Sequence, residues 1–383
     1  MKKKIIRTAT VPLSLDLFCR GFLRELSKEY EVVVVSSPLP ELDSIRHRER
    51  VRTIGVPMER KIAPLKDLVS LFRLVRVFRK EKPDMVHSIT PKAGLLSMMA
   101  AWLARVPVRV HTFTGLLFPY ATGWRRVLLR MTDSLTAGCA THVIPEGEGI
   151  REDLVRSGIT KKPLKVLGFG NLRGIDMDYY ARTEEILQRA SRLRAHLGIS
   201  GDAFVFLFVG RFDYDKGIVE LVRATCLLER EGFDIHLLMV GEEEPDGKPL
   251  PMPIVQVMAT SPRIHLSDGW QEDVRPWYAA ADVLVHPSYR EGFPNVVIEA
   301  GAMDLSSIVT DINGSREIIR EGENGFIVSS GDEEALYEAM KRFIMEPELS
   351  HEMAAKAREM IGDRFEQTYV RNCLKEFYHE ILQ

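Results

Sequence analysis

The apolar positions of this chain follow two rhythms. Short runs of Val, Ile, Leu and Phe alternate with longer stretches in which apolar residues return every three or four positions. That alternation is the pattern of parallel sheets whose crossover helices cover both faces. It predicts strands at KIIRTAT (4–10), EVVVVSS (31–37), DMVHSI (84–89), VRVHTF (108–113) and THVIPE (141–146). A second set follows at FVFLFVG (204–210), IHLLMVG (235–241), RIHLSD (263–268), DVLVHPS (282–288), SSIVTD (306–311) and GFIVSS (325–330). The count restarts near residue 203, after a charged helical stretch at 184–197, so two Rossmann-like domains are expected, 1–170 and 171–364. Their boundary falls in the non-helical stretch 161–180, marked by Pro163, Gly168, Gly170 and Gly174. In the last segment Phe365, Tyr369, Cys373, Phe377 and Ile381 recur every four residues, which predicts a helix with one apolar face. Residues 59–82 read as another, with Leu68, Leu71, Phe72, Val75 and Phe78 on one face and Lys66, Arg73, Arg76, Arg79, Lys80 and Lys82 elsewhere.

Length and composition agree with this division. At 383 residues the chain exceeds the size at which single cores stop growing. Its 45% hydrophobic and 28% charged residues are those of a soluble globular protein. Cys19, Cys139, Cys226 and Cys373 lack disulfide-framework or metal-ligand spacing, which points to a reducing compartment and no zinc site. Arg7 and Asp16 interrupt the apolar start, so it reads as a strand and turn rather than a signal peptide. The longest apolar run, 94–104, is about half a membrane span. Net charge is −2, but residues 1–170 hold 30 Lys and Arg against 16 Asp and Glu, and the remainder holds 22 against 38. Such a split suits a first half facing an anionic partner, or drift between two solvated faces. No G-x-G-x-x-G follows any strand, which argues against a dinucleotide-dependent dehydrogenase. No nucleic-acid partner is expected.

In open α/β sheets ligands lie beyond the carboxyl ends of the strands, where helix N-termini aim N–H groups at anions. FVFLFVGRFDYDKG places Gly210 at such an end, followed by Arg211 and Lys216. Both are either solvated loop cations or ligands of a phosphate. In EGFPNVVIEAGA a turn carrying Glu291, Gly292 and Phe293 leads through Pro294 to a helix beginning near Asn295 and Val296. Glu299 lies among apolar helix residues, where a carboxylate needs a partner, either sugar hydroxyls or an internal salt bridge.

At these residues the chain resembles the retaining GT-B glycosyltransferases of family 4, which include bacterial capsule, O-antigen and lipid-linked oligosaccharide enzymes. Glu291 and Glu299 match the family's E-x7-E motif, and Arg211 and Lys216 its GR…KG phosphate motif. The resemblance implies an α/β GT-B fold, two Rossmann-like domains facing across a cleft, with the 365–383 helix crossing back onto the first. It also implies that Arg211 and Lys216 contact the nucleotide diphosphate, Glu291 lies against the donor sugar and Glu299 binds the ribose. Gly210, Gly292, Phe293, Pro294, Asn295 and Val296 complete the donor site. On the acceptor side the resemblance sets His111 beside the reacting centre; a hydrogen-bonded strand-end histidine is the alternative. His87, Thr90 and Lys92 lie on the neighbouring strand end, where Lys92 meets an acceptor phosphate or simply starts a helix. The expected catalytic set is Glu291, His111, Arg211 and Lys216. Two stretches depart from the family pattern: TATVPLSLDLFCRG replaces a paired-glycine first loop, and Gly174, Ile175 and Asp176 replace Asn-Gly-Val-Asp.

The expected reaction moves a hexose or N-acetylhexosamine from a nucleoside diphosphate sugar to a lipid-linked or envelope polysaccharide acceptor. Rival readings are a GT-B UDP-N-acetylglucosamine epimerase and a non-catalytic nucleotide-sugar-binding scaffold. DYD at 213–215 and DMD at 176–178 imitate a metal motif, but two cations flank the first, so no metal and no cofactor are expected. The basic 59–82 helix fits a protein held peripherally on the anionic inner face of a cell membrane.

Overall fold

The computed structural model describes residues 2–244 and 247–383. It divides into two compact units, Met1–Gly174 with Thr368–Gln383, and Ile175–Gln367. Between the Glu148–Arg156 and Glu184–His196 helices the chain has no helix. Gly168, Gly170, Asn171 and Gly174 there all have positive φ.

The first unit holds six strands: β1 (Lys4–Thr8), β2 (Glu31–Ser36), β3 (Arg52–Gly55), β4 (Met85–Ser88), β5 (Val108–Phe113) and β6 (His142–Pro145). They form one sheet in the order β3-β2-β1-β4-β5-β6, parallel throughout, with Ile5 opposite Val32 and Met85. The second unit holds β7 (Phe204–Val209), β8 (Ile235–Val240), β9 (Ile264–Leu266), β10 (Val283–His286), β11 (Ser306–Thr310) and β12 (Gly325–Val328). Their order is β12-β11-β10-β7-β8-β9. Counted within each unit, both sheets run 3-2-1-4-5-6, the dinucleotide-fold order, whose reversal point lies between the first and fourth strands. Central strands such as Val32–Val35 and Val205–Phe208 are buried on both faces, which is why they read as unbroken apolar runs. β3 was not expected. It is an edge strand with exposed Arg52 and half-buried Ile54, so burial imposes no alternation on it.

Helices Pro64–Glu81, Pro91–Leu103 and Gly123–Cys139 share one core of the first unit, through residues such as Leu74, Phe78, Leu96 and Ala137. The Pro64–Glu81 helix departs from the expected face. Leu71, Leu74, Val75 and Phe78 are buried, whereas Leu68 and Phe72 point outward, 49% and 66% exposed. No helix among the described residues is long and apolar enough to cross a membrane.

The last helix, Gln367–Leu382, packs in the other core of the first unit with the Pro12–Cys19 and Phe22–Leu26 helices. Its buried residues are Val370, Leu374, Phe377, Tyr378 and Leu382, so the stripe is shifted by about one position from the expected spacing. Phe365 ends the preceding helix, Pro347–Phe365, and belongs to the second unit's core. A polar network fixes the helix. The Tyr378 hydroxyl meets the Arg7 guanidinium and lies 2.5 Å from His87 Nδ1, while His87 Nε2 is 2.8 Å from the Thr112 hydroxyl. All four side chains are buried. Burial, then the neighbouring Arg7 charge, holds the His87 pKa well below the usual histidine value, so the ring is neutral. A buried donor or acceptor deprived of a partner costs about 1–3 kcal/mol. Tyr378→Phe is expected to lower stability to urea by roughly that amount; an unchanged unfolding midpoint would show the network to be idle.

Candidate active site

The reversal point of the second sheet lies between β7 and β10, and the two loops leaving these strands are joined there. After β7 the chain passes Gly210 and Arg211 into a short 3₁₀ turn, Tyr214–Lys216, then Gly217 and the Ile218–Arg230 helix. After β10 it passes Pro287 to Pro294 and enters the Asn295–Ala302 helix. Asp215 is the joint. Its carbonyl accepts from the Tyr289 N–H at 2.8 Å and the Ser288 hydroxyl at 3.2 Å. Its carboxylate accepts from Arg290 Nε at 2.8 Å and Lys248 Nζ at 2.6 Å. Burial would raise the Asp215 carboxyl, but these two hydrogen bonds outweigh it and lower the pKa. Tyr289 adds a 2.6 Å hydrogen bond from its hydroxyl to Glu220 on the following helix. The fit depends on Gly217, whose φ is +70° and where a Cβ would collide with the Pro287 carbonyl.

This joint brings Lys216 and Glu291 into direct contact as an ion pair. Their side chains are 13% and 18% exposed. The same Glu291 oxygen lies 3.1 Å from His286 Nε2. Burial would raise the Glu291 carboxyl; the Lys216 charge and the His286 hydrogen bond together hold it well below the usual carboxylate range. Arg211 is 60% exposed and pairs with Glu244. Both cations expected to meet a diphosphate are therefore occupied by carboxylates, and an anion entering here must compete for them. Asp213 and Asp215, the apparent metal motif, are used within the loop: Asp213 accepts from the N–H groups of Asp215 and Lys248. Asp176 likewise accepts from Asp178 and Tyr179 within its own turn.

Gly292 is half-buried and Phe293 buried. Pro294 is the N-cap, one position earlier than a first-turn proline. Asn295 and Val296 open the helix, whose first N–H groups have no intrahelical acceptor. Glu299 is 8% exposed, and the Tyr278 hydroxyl lies 3.1 Å from its carboxylate. That tyrosine is a partner the sequence reading lacked, as are Asp215, Arg290, Glu244 and His286. Of these only His286 carried a local signal, a polar residue closing an apolar strand.

In the first unit the acceptor-side residues separate. His111 is fourth of six in β5 rather than at its end. It is 1% exposed, with Nδ1 2.8 Å from the Ser88 hydroxyl and its ring against Gly94, where a Cβ would overlap it. Burial lowers its pKa to about 3, so it is neutral. His87 is a correction: both ring nitrogens serve the Tyr378 network and the residue is fully buried, which removes it from an acceptor site. Lys92 is also committed, 2.8 Å from Asp67 of the Pro64–Glu81 helix. Thr90 sits at the first sheet's own reversal point. Its hydroxyl is 3.0 Å from that of Thr10, and its φ of +72° is a strained conformation for a β-branched residue.

Two domains joined in this way, with a charged site at the reversal point of the second, are the architecture of nucleotide-sugar enzymes of the GT-B class. Residues 190–360 match the glycosyl transferases group 1 family, and residues 18–170 the glycosyl transferase 4-like domain. The chain is 30% identical over its whole length to the capsular polysaccharide biosynthesis glycosyltransferase CapM of Staphylococcus aureus, covering 98% of that protein. It is 28% identical to an Escherichia coli UDP-Gal:alpha-D-GlcNAc-diphosphoundecaprenol alpha-1,3-galactosyltransferase, covering 87% of this chain and 85% of the other. Anabaena HepE, solved in complex with UDP, superposes with a TM-score of 0.80 at 19% identity, over 99% of this chain and 100% of the other. The lipopolysaccharide-biosynthesis glycosyltransferase WaaG does so at 0.74 and 16%, over 98% and 99%. The chain belongs to the group 1, family 4-like glycosyltransferases and is an enzyme of that type.

Gly217→Ala is expected to separate the two loops. Affinity for a nucleoside diphosphate measured by calorimetry should fall by at least about tenfold, the worth of one charged hydrogen bond, and undiminished affinity would show that the joint does not shape the site.

Proposed function

We propose that the enzyme is a metal-independent retaining transferase. It moves a hexose or N-acetylhexosamine from a UDP-linked donor to a lipid-linked or envelope polysaccharide acceptor. The observation that carries this reading is the joined pair of loops at the β7/β10 reversal point, with Lys216 against Glu291 and Arg211, paired with Glu244, on the β7 loop. As the glycosyl bond breaks, negative charge grows on the leaving diphosphate. Arg211, Lys216 and the N-terminus of the Asn295–Ala302 helix are the donors for that charge. Lys216 reaches it by exchanging Glu291 for a phosphate oxygen, which leaves Glu291 facing the sugar. Glu299 serves the ribose, with Tyr278 holding its carboxylate. In the first unit neutral His111 and the strained Thr90 turn are the acceptor-side groups retained. UDP as carrier is supported by HepE, solved with UDP, and by the UDP-Gal-dependent relative. That relative, whose name specifies a diphosphoundecaprenol acceptor, and CapM favour transfer over epimerisation.

A lipid-borne acceptor requires reach to a membrane, and the surface of the first unit supports it. On the Gly123–Cys139 helix Trp124, Val127, Met131 and Leu135 are 46–72% exposed and repeat at helical spacing along one stripe. Leu65, Leu68, Val69 and Phe72 are exposed on the Pro64–Glu81 helix. Residues 60–130 hold 14 Lys and Arg against three Asp and Glu. Apolar stripes flanked by bases suit the interface of an anionic leaflet.

Labelled UDP-sugars incubated with and without a bacterial lipid extract test the reading. Label should move only when the extract is present, persist in EDTA, and fall by about a hundredfold or more in Arg211→Ala and Lys216→Ala. Acceptor-free turnover would identify an epimerase, and restoration by manganese after EDTA would overturn metal independence. With vesicles containing phosphatidylglycerol, the wild-type protein should co-sediment and Trp124→Ala/Met131→Ala should not; equal binding of both would remove the stripe from the account.

A further inference from the structure

We propose that His286 is a positioning residue that keeps Glu291 anchored while Lys216 moves to the donor diphosphate. This rests on the reading of Lys216 and Glu291 as donor-site residues. His286 closes β10 and is 2% exposed. Its Nε2 is 3.1 Å from the Glu291 oxygen that Lys216 also holds. Its Nδ1 is buried with no partner among the described residues. The contrast with His87 is informative, because that ring has a partner at each nitrogen and stitches a core. His286 spends its one polar contact on Glu291 and tolerates an unmatched nitrogen, a cost that packing alone does not require.

The consequence follows from the exchange. Glu291 is largely buried, and its low pKa depends on two donors. Once Lys216 turns to a phosphate, a carboxylate in this position would be left without a partner, an expensive state. With the proton on Nε2, His286 donates to the same oxygen and remains when Lys216 leaves. The carboxylate then stays ionised and fixed in direction toward the sugar. Without His286, departure of Lys216 is opposed, and diphosphate binding weakens even though His286 touches no part of the nucleotide.

The test is a double-mutant cycle on affinity for UDP, or for GDP or ADP if the wild-type protein binds one of those more tightly. His286→Phe should raise Kd by about tenfold or more, the worth of a hydrogen bond to a charged group. In a Glu291→Gln background the same change should alter Kd by less than about twofold, because the charge it serves is gone. His286→Gln places an amide N–H near the Nε2 position and should stay within about threefold of wild type; His286→Asn imitates Nδ1 instead and should behave like His286→Phe. Equal losses in both Glu291 backgrounds, or no loss in either, would overturn the proposal while leaving the donor site intact. If His286→Phe fails to fold, equal affinities of the Gln and Asn variants overturn it. A wild-type protein that binds none of the three nucleotides would remove the donor-site reading itself.

Discussion

The second unit is organised around one buried contact, the seating of the Asp215 backbone and carboxylate on the loop that leaves β10. β7 and β10 are neighbours in space but lie some seventy residues apart in the chain, and their loops need not meet. Asp215 makes them meet by accepting from Tyr289, Ser288 and Arg290 at once, while Lys248, from the stretch after β8, holds the same carboxylate. Gly217 removes the side chain that would hold them apart. Everything attributed to donor chemistry, including the Lys216–Glu291 pair and the entry into the Asn295–Ala302 helix, is positioned by that contact.

The electrostatics of the site are those of a loaded exchange rather than an open cationic pocket. Lys216 and Arg211 each already hold a carboxylate, so a diphosphate gains only the difference between its own attraction and theirs. Its advantage is charge density, with several oxygens accepting hydrogen bonds against one carboxylate for each cation. The arrangement spares the resting site from carrying unpaired buried charge. In the proposed exchange it also couples occupancy to the direction of Glu291, because the cation that would leave the carboxylate is the one the ligand would take.

Much of the architecture was legible in the chain. Eleven of the twelve strands follow from apolar runs, most plainly the central ones that are covered on both faces; β3 escaped because its four residues, Arg52–Gly55, hold a single apolar side chain, Ile54, and none of them is buried. Helix faces were less legible. A four-residue spacing and a true helical period diverge over about four turns, which is why the last helix buries Val370, Leu374 and Tyr378 rather than Tyr369 and Cys373. Outward-facing Leu68 and Phe72 were placed on one face with Leu71, Val75 and Phe78 because periodicity cannot tell an inner apolar stripe from an outer one. At the site, motif spacing placed Lys216 and Glu291 in one region, but no local signal gives a partner distant in sequence. Asp215 with Tyr289, Arg211 with Glu244 and Glu299 with Tyr278 are products of topology. His87 misled for the same reason, since its partner Tyr378 lies at the other end of the chain.

The central proposed event is a diphosphate displacing Glu291 from Lys216 at the β7/β10 reversal point. A crystal structure with bound UDP tests it most directly. The expected map has diphosphate oxygens beside Gly210 and the Pro294 turn, Lys216 Nζ on a phosphate, and Glu291 still on His286. A diphosphate bound elsewhere, or one bound there with Lys216 and Glu291 still paired, would contradict it.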